Sequence, residues 1–154
     1  MITNIYPNED EDEDMNKQYH NTLQEAGIRP SIQRTAIYAF LCEHPVHPDV
    51  ETVYDALNPI YPTLSKTTVY NTLKLFEEKH IVQSIKIEDD KLRFDAEMRN
   101  HYHFKCIKCG KIFDIFLDDA KMPDQKEYAS SLPQGFSLSK IQTNLWGICK
   151  DCAE

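Results

Sequence analysis

Residues 65–95 read SKTTVYNTLKLFEEKHIVQSIKIEDDKLRFD, and this stretch decides the fold. Ser65 stands immediately before a run of helical period, where a hydroxyl can accept a first-turn backbone N–H, so a helix begins there. Val69, Leu73 and Phe76 recur at i, i+4 and i+7 and form one apolar stripe. Lys66, Thr67, Tyr70, Asn71 and Lys74 form a second, polar stripe that is left to touch something else. His80 falls where the helix must end, at a position suited to a residue tolerant of positive φ. Beyond it IVQSIKI and LRFD read as two strands, with the acidic EDDK as their turn. A helix followed by a hairpin predicts a wing, with Lys86, Lys91 and Arg93 placed to suit a phosphate backbone.

The chain before this stretch supplies the rest of a winged helix. Asn16 can cap a first helix that stops at Gly27. Ser31 can cap a second, with Ala36, Ile37, Phe40 and Leu41 at helical spacing until Pro45. Asp49 can cap a third, with Val50, Val53, Tyr54 and Leu57 facing inward. Cys42 lies in the apolar run of the second helix and is expected to be a packed core thiol. Six acidic residues, Glu9 to Asp14, precede all of this, and such a run reads as a solvated, disordered tail.

The formal net charge of −8 is unusual for a nucleic-acid binder, but without the acidic run the remainder is near −2. Any DNA contact must then rest on a few placed cations and be sensitive to salt.

After Asp95 the texture changes to HYHFKCIKCGKIFD (residues 101–114), a helical stretch from Gln125 to Ser131, a strand-like FSLSKIQTNLWGI and a terminal CKDC. The expected organisation is an acidic tail over 1–15, a winged helix-turn-helix domain over 16–95 and a small α/β domain over 96–154. The class is α+β. No apolar stretch approaches the roughly 18 residues of a membrane span, and the N-terminus lacks the order of a signal peptide, so a cytoplasmic protein is expected.

A reducing compartment makes metal a better explanation than disulfides for two C-x-x-C pairs. Cys106, Cys109, Cys149 and Cys152 can complete a tetrahedral zinc site, closed and therefore structural. Two redox pairs are the alternative, but each would need a helix N-terminus after a strand. CIKCG reads as strand-turn-strand, and CKDC lies at the end of the sequence.

A second set of donors comprises Asp95, His101, His103 and Asp114, with His47 as a further candidate. Side chains alternate along a strand, so His101 and His103 share a face. Nitrogen and carboxylate donors together suit iron, manganese or zinc. Spacing alone does not bring His47 to the other four. His20 and His44 carry no comparable signal.

These residues resemble the ferric uptake regulator family of metal-dependent repressors, and more narrowly its peroxide-sensing branch. The resemblance runs from about Gly27 to Cys152. Arg29 to Arg34, Thr67 to Leu73, Arg93 to Asp95, His101 to Asp114 and the closing GICKDC carry it. It implies a homodimer whose winged helix binds a palindromic operator in double-stranded DNA and whose C-terminal part dimerises. It further implies Tyr70 and Asn71 near bases, and Arg34, Lys66 and Lys74 on phosphates. It adds His47 to Asp95, His101, His103 and Asp114 in a regulatory site for ferrous or manganous ion. Aspartates at 95 and 114 are similar to the peroxide sensors, in which peroxide oxidises histidines matching His47 and His101. An additional metal site of many iron sensors is expected to be missing, with Asn100 and Ile141 at its histidine positions. His80 in place of a common glycine, the acidic wing turn and the long acidic tail depart from the family pattern.

Other readings are an iron- or zinc-uptake regulator of the same family, a metallohydrolase, and a zinc module that does not bind DNA. A hydrolase would need a further general base and a substrate cleft, and no motif supplies them. A zinc module would leave the stripe from Lys66 to Lys74 without a purpose. The expectation is a regulator, not an enzyme.

Overall fold

The computed structural model describes residues 9–118 and 125–153. The chain divides into two compact units, one ending at Met98 and one beginning at Arg99.

The first unit contains α1 (Glu9–Glu25), α2 (Ile32–Glu43), α3 (Val50–Leu57), α4 (Lys66–Glu78), β1 (Gln83–Ile85) and β2 (Arg93–Asp95). Its helix starts are set by side chains. Ser31 accepts the Arg34 N–H, Asp49 the Thr52 N–H at 2.8 Å and Ser65 the Thr68 N–H at 3.1 Å. Each of these satisfies a donor that a helix start would otherwise leave open. The helix ends are equally local. After α1 the Gly27 N–H reaches the Gln24 carbonyl and the Ile28 N–H the Leu23 carbonyl, with Gly27 at φ +77°. After α4 the same double closure forms around His80 at φ +59°, through His80 to Glu77 and Ile81 to Phe76.

Two expectations differ from this structure. The first helix begins at Glu9, ahead of Asn16, so the acidic run is helical. Acidic residues near a helix start are favoured by the positive end of the helix dipole, which suits the extension. Residues 1–8 of the expected tail lie outside the described residues. Cys42 is exposed rather than packed. Ile37, Tyr38 and Leu41 face the core, and Cys42, one residue beyond Leu41, stands about 100° further round the helix from it.

The core of this unit gathers Leu23, Ile28, Ile37, Leu41, Val53, Leu64, Val69, Leu73, Phe76, Val82 and Phe94, all nearly or fully buried. Tyr38 meets the Phe76 ring edge-on at 5.7 Å, and Tyr19 meets Tyr38 edge-on at 5.9 Å. The wing is an antiparallel pair with Ser84 opposite Phe94.

The second unit holds a three-stranded sheet of order β4-β3-β5: β3 (Tyr102–Cys106), β4 (Ile112–Ile115) and β5 (Asn144–Gly147). β3 pairs antiparallel with β4, His103 opposite Asp114, and parallel with β5, His103 beside Asn144. A helix, α5 (Gln125–Ser130), lies between β4 and β5 in sequence. Of the strand-like 136–148 stretch, only Asn144–Gly147 pairs. A Cβ at Gly147 would approach the Phe104 ring to 2.9 Å, so any larger residue there would have to displace that ring. Among the described residues no helix is long and apolar enough to cross a membrane. An α+β chain with an N-terminal helix-turn-helix unit is the result.

Candidate metal centres and nucleic-acid interface

The β3–β4 turn and the C-terminal residues bring four sulfurs together in the second unit. Those of Cys106, Cys109, Cys149 and Cys152 all lie within 4.8 Å of one another. The Cys109 and Cys149 sulfurs are 3.9 Å apart, close to the roughly 3.8 Å expected between sulfurs bound tetrahedrally at about 2.3 Å from zinc. Cys106 accepts the backbone N–H groups of Cys109 at 3.5 Å and Cys149 at 3.4 Å. These two bonds, in that order, pull its thiol down to about 6. Cys152 moves the opposite way, chiefly because its thiol hydrogen-bonds to Cys149. One sulfur is thus prepared as a thiolate while the last proton is hard to lose, a set that a divalent cation completes. The backbone closes around it through Ile107 N–H to Gly147 O and Gly110 N–H to Cys106 O, both at 2.8 Å.

The same unit gathers three of the five expected nitrogen and oxygen donors. The His101 and His103 Nε2 atoms are 3.0 Å apart, and Asp114 Oδ1 lies 3.2 Å from the first and 3.6 Å from the second. Both imidazoles are buried. The Arg99 carbonyl, which can only accept, lies 2.6 Å from His101 Nδ1, so that nitrogen carries the proton and Nε2 presents its lone pair inward. Two imidazole nitrogens and a carboxylate converging there call for a proton or a cation between them, and the donor chemistry fits a divalent metal. Phe116 lies along the His101 ring at 5.0 Å, and the Arg99 guanidinium covers the same phenyl ring at 4.9 Å.

The other two expected donors lie in the first unit. His47 Nε2 faces Asp95 Oδ2 at 3.7 Å, with both residues at least 95% buried. Asp95 Oδ1 is committed to the Glu97 N–H at 2.8 Å. His47 sits on the loop before α3 at φ +53°.

On α4, Thr67, Tyr70 and Asn71 are exposed, as the polar stripe requires. Its cations are held within the chain. Lys66 pairs with Glu51 at 2.6 Å and lies over the Tyr54 ring, and Lys74 pairs with Glu77 at 3.0 Å. Arg34 Nη1 donates to the Arg29 carbonyl at 2.8 Å. In the wing, Lys91 lies between Asp49 and Glu88, and Arg93 is bound to Glu88. Arg93 was expected to suit a phosphate and instead serves an internal pair. Sequence reading missed the partners Glu51 and Glu88, which no helical spacing joins to Lys66 and Arg93, and also Glu77, although it stands three residues after Lys74 on the same helix. It also missed Asn144, in register with His103, whose buried Oδ1 has no hydrogen bond among the described residues.

The Ferric uptake regulator family model matches residues 25–145. The peroxide-responsive repressor PerR of Staphylococcus epidermidis is 35% identical over 133 residues, covering 86% of this chain and 87% of that protein. In structure the chain is similar to the ferric uptake regulator Fur of Vibrio cholerae, with a TM-score of 0.64 and 26% identity over 84% of this chain and 98% of that one. It is also similar to a zinc-bound manganese uptake regulator, with a TM-score of 0.62 and 28% identity over 85% and 98%. The chain belongs to the ferric uptake regulator family, and is thus a metal-dependent regulator rather than an enzyme.

Proposed function

We propose that this chain is a peroxide-responsive repressor that binds a palindromic operator as a homodimer in the cytoplasm, and that His47, Asp95, His101, His103 and Asp114 jointly hold one ferrous or manganous ion. The observation that carries the reading is the donor chemistry. His47 and Asp95 face each other in one unit, His101, His103 and Asp114 converge in the other, and both carboxylates are aspartates. The 35% identity to a protein named for its peroxide response supports the same branch.

When bound, a divalent ion supplies the positive charge that three neutral imidazoles and two carboxylates lack. The chain's own residues set where it can act. Arg99 fixes the His101 tautomer through its carbonyl, and the Glu97 N–H fixes the rotation of Asp95. Because the ligands come from both units, the ion selects the arrangement of units in which all five can serve, and that arrangement is the DNA-competent one. Cys106, Cys109, Cys149 and Cys152 hold a separate zinc ion as scaffold, and that site has no open position for a signal. Arg34, Lys66, Thr67, Tyr70, Asn71 and Lys74 form the DNA surface, and His47 and His101 are the side chains that peroxide oxidises.

The test is a gel shift with a palindromic family operator, adding manganese or ferrous ion and then hydrogen peroxide, followed by mass spectrometry of the His47 and His101 peptides. The expected result is binding with either metal and release by peroxide in the iron form alone, with a mass increase on one of the two peptides. Binding indifferent to metal would overturn the sensor reading. An iron form that stays on DNA, with both peptides unchanged, would make the chain an uptake regulator instead.

A further inference from the structure

Arg93 belongs neither to the donors nor to the α4 face, yet its guanidinium is engaged in two directions. Nε and Nη2 donate to Glu88 Oε1 at 3.0 and 2.8 Å, and Nη1 donates to the His47 carbonyl at 3.1 Å. The side chains of Arg93 and Glu88 are 18% and 7% exposed. The next residue repeats the connection, with the Phe94 N–H donating to the Pro48 carbonyl at 2.9 Å. One residue further along β2 is Asp95, whose carboxylate faces His47. The loop carrying His47 is thus fastened to β2 at successive residues just before the strand delivers its own donor.

His47 needs such fastening. Its φ of +53° lies in the left-handed region, which a non-glycine residue keeps only where its surroundings impose it. It also precedes Pro48, and a following proline by itself favours extended backbone. A planar guanidinium with several donors in fixed directions can hold a carboxylate and a carbonyl at once; an ammonium is a point charge without that fork.

We propose that Arg93 is a positioning residue of the regulatory metal site: anchored by Glu88, it holds the His47 backbone in the conformation that aims the imidazole at Asp95. This rests on the reading of His47 and Asp95 as ligands. Glu88 lies in the wing turn, so wing and sensor loop respond together, and whatever reorders the one changes metal affinity through the other.

The test uses the zinc-loaded full chain and Mn2+ alone, with affinity measured by calorimetry for wild type, Arg93→Lys, Arg93→Gln, Glu88→Gln/Arg93→Gln and His47→Ala. Arg93→Lys keeps a cation beside Glu88 but lacks the fork. It is expected to weaken Mn2+ binding by about 10-fold, and the neutral double variant by about 10- to 100-fold, the range for groups that orient ligands. Zinc content and melting temperature of the lysine variant should stay at the wild-type values. Arg93→Gln should leave the salt dependence of operator binding unchanged at saturating Mn2+. Wild-type Mn2+ affinity in the lysine and double variants, with His47→Ala impaired, would overturn the positioning role alone. So would a salt slope reduced by about one in Arg93→Gln, the mark of a phosphate contact. Unaltered Mn2+ binding in His47→Ala would overturn the ligand reading, and the positioning role with it.

Discussion

The Glu51 carboxylate of α3 holds the Lys66 ammonium, the first residue of α4, at 2.6 Å, and both side chains are more than half exposed. A DNA phosphate approaching Lys66 must therefore compete with a carboxylate already in place. Glu51→Gln is expected to tighten operator binding about three- to tenfold at 50 mM salt and to steepen the salt slope by up to about 0.9, the contribution of one further neutralised phosphate. Affinity by fluorescence anisotropy across a salt series checks it. An unchanged affinity and slope would show that Glu51 does not withhold Lys66 from DNA.

The four sulfurs of the second unit predict a different kind of loss. Cys109 stands on the β3–β4 turn with its sulfur 3.9 Å from that of Cys149, so an ion held by both would tie distant parts of the chain together. Cys109→Ser should remove zinc and unfold this unit, since a structural zinc site contributes folding free energy directly. His103→Ala should leave zinc and the oligomeric state as in wild type while abolishing metal-dependent DNA binding. Metal analysis and light scattering separate the two. A zinc-replete, dimeric Cys109→Ser protein would contradict the division between scaffold and sensor.

What the sequence made legible follows how local each cause is. Ser31, Asp49 and Ser65 could be read as caps because a cap needs only a side chain and an N–H three residues on. His80 could be read as a helix stop for the same reason. The doubled cysteine spacing and the alternation of His101 and His103 were visible because a turn and a strand translate spacing into geometry. The parallel pairing of β5 with β3 has no turn to announce it. The Lys66–Glu51 and Arg93–His47 contacts join residues from separate elements, which no spacing connects. The position of His47 beside Asp95 came from family resemblance and not from its own surroundings in sequence.

Phe76 is fully buried in α4 and takes the edge of Tyr38 at 5.7 Å. Phe76→Ala should destabilise the first unit by about 3–5 kcal/mol, the usual range for emptying such a site. Zinc content should be unaffected, because the four sulfurs all belong to the second unit. Chemical denaturation followed by the far-ultraviolet helix signal, beside a zinc assay, tests both halves. Loss of zinc together with the helix signal would mean that the units do not fold separately.

Glu77 ties α4 to the wing, accepting the Ser84 N–H at 2.9 Å through one oxygen and the Lys74 ammonium at 3.0 Å through the other. Burial pushes its pKa up, but the Ser84 hydrogen bond and the Lys74 charge push it down further, and it ends below the usual 4.5. A depressed folded pKa means that the ionised carboxylate favours the folded state. That stability is fully present above the unfolded value and is lost as pH falls through the folded one. Glu77→Gln keeps an oxygen for Ser84 but loses the charge, so at pH 7 it should be less stable than wild type by ~1 kcal/mol. The difference should narrow below about pH 4.5 and vanish once the wild-type carboxylate is protonated in the folded state. Urea denaturation of both proteins at pH 7, 5 and 3.5 measures this directly. A difference constant across that range would mean that ionisation of Glu77 is not what stabilises the fold.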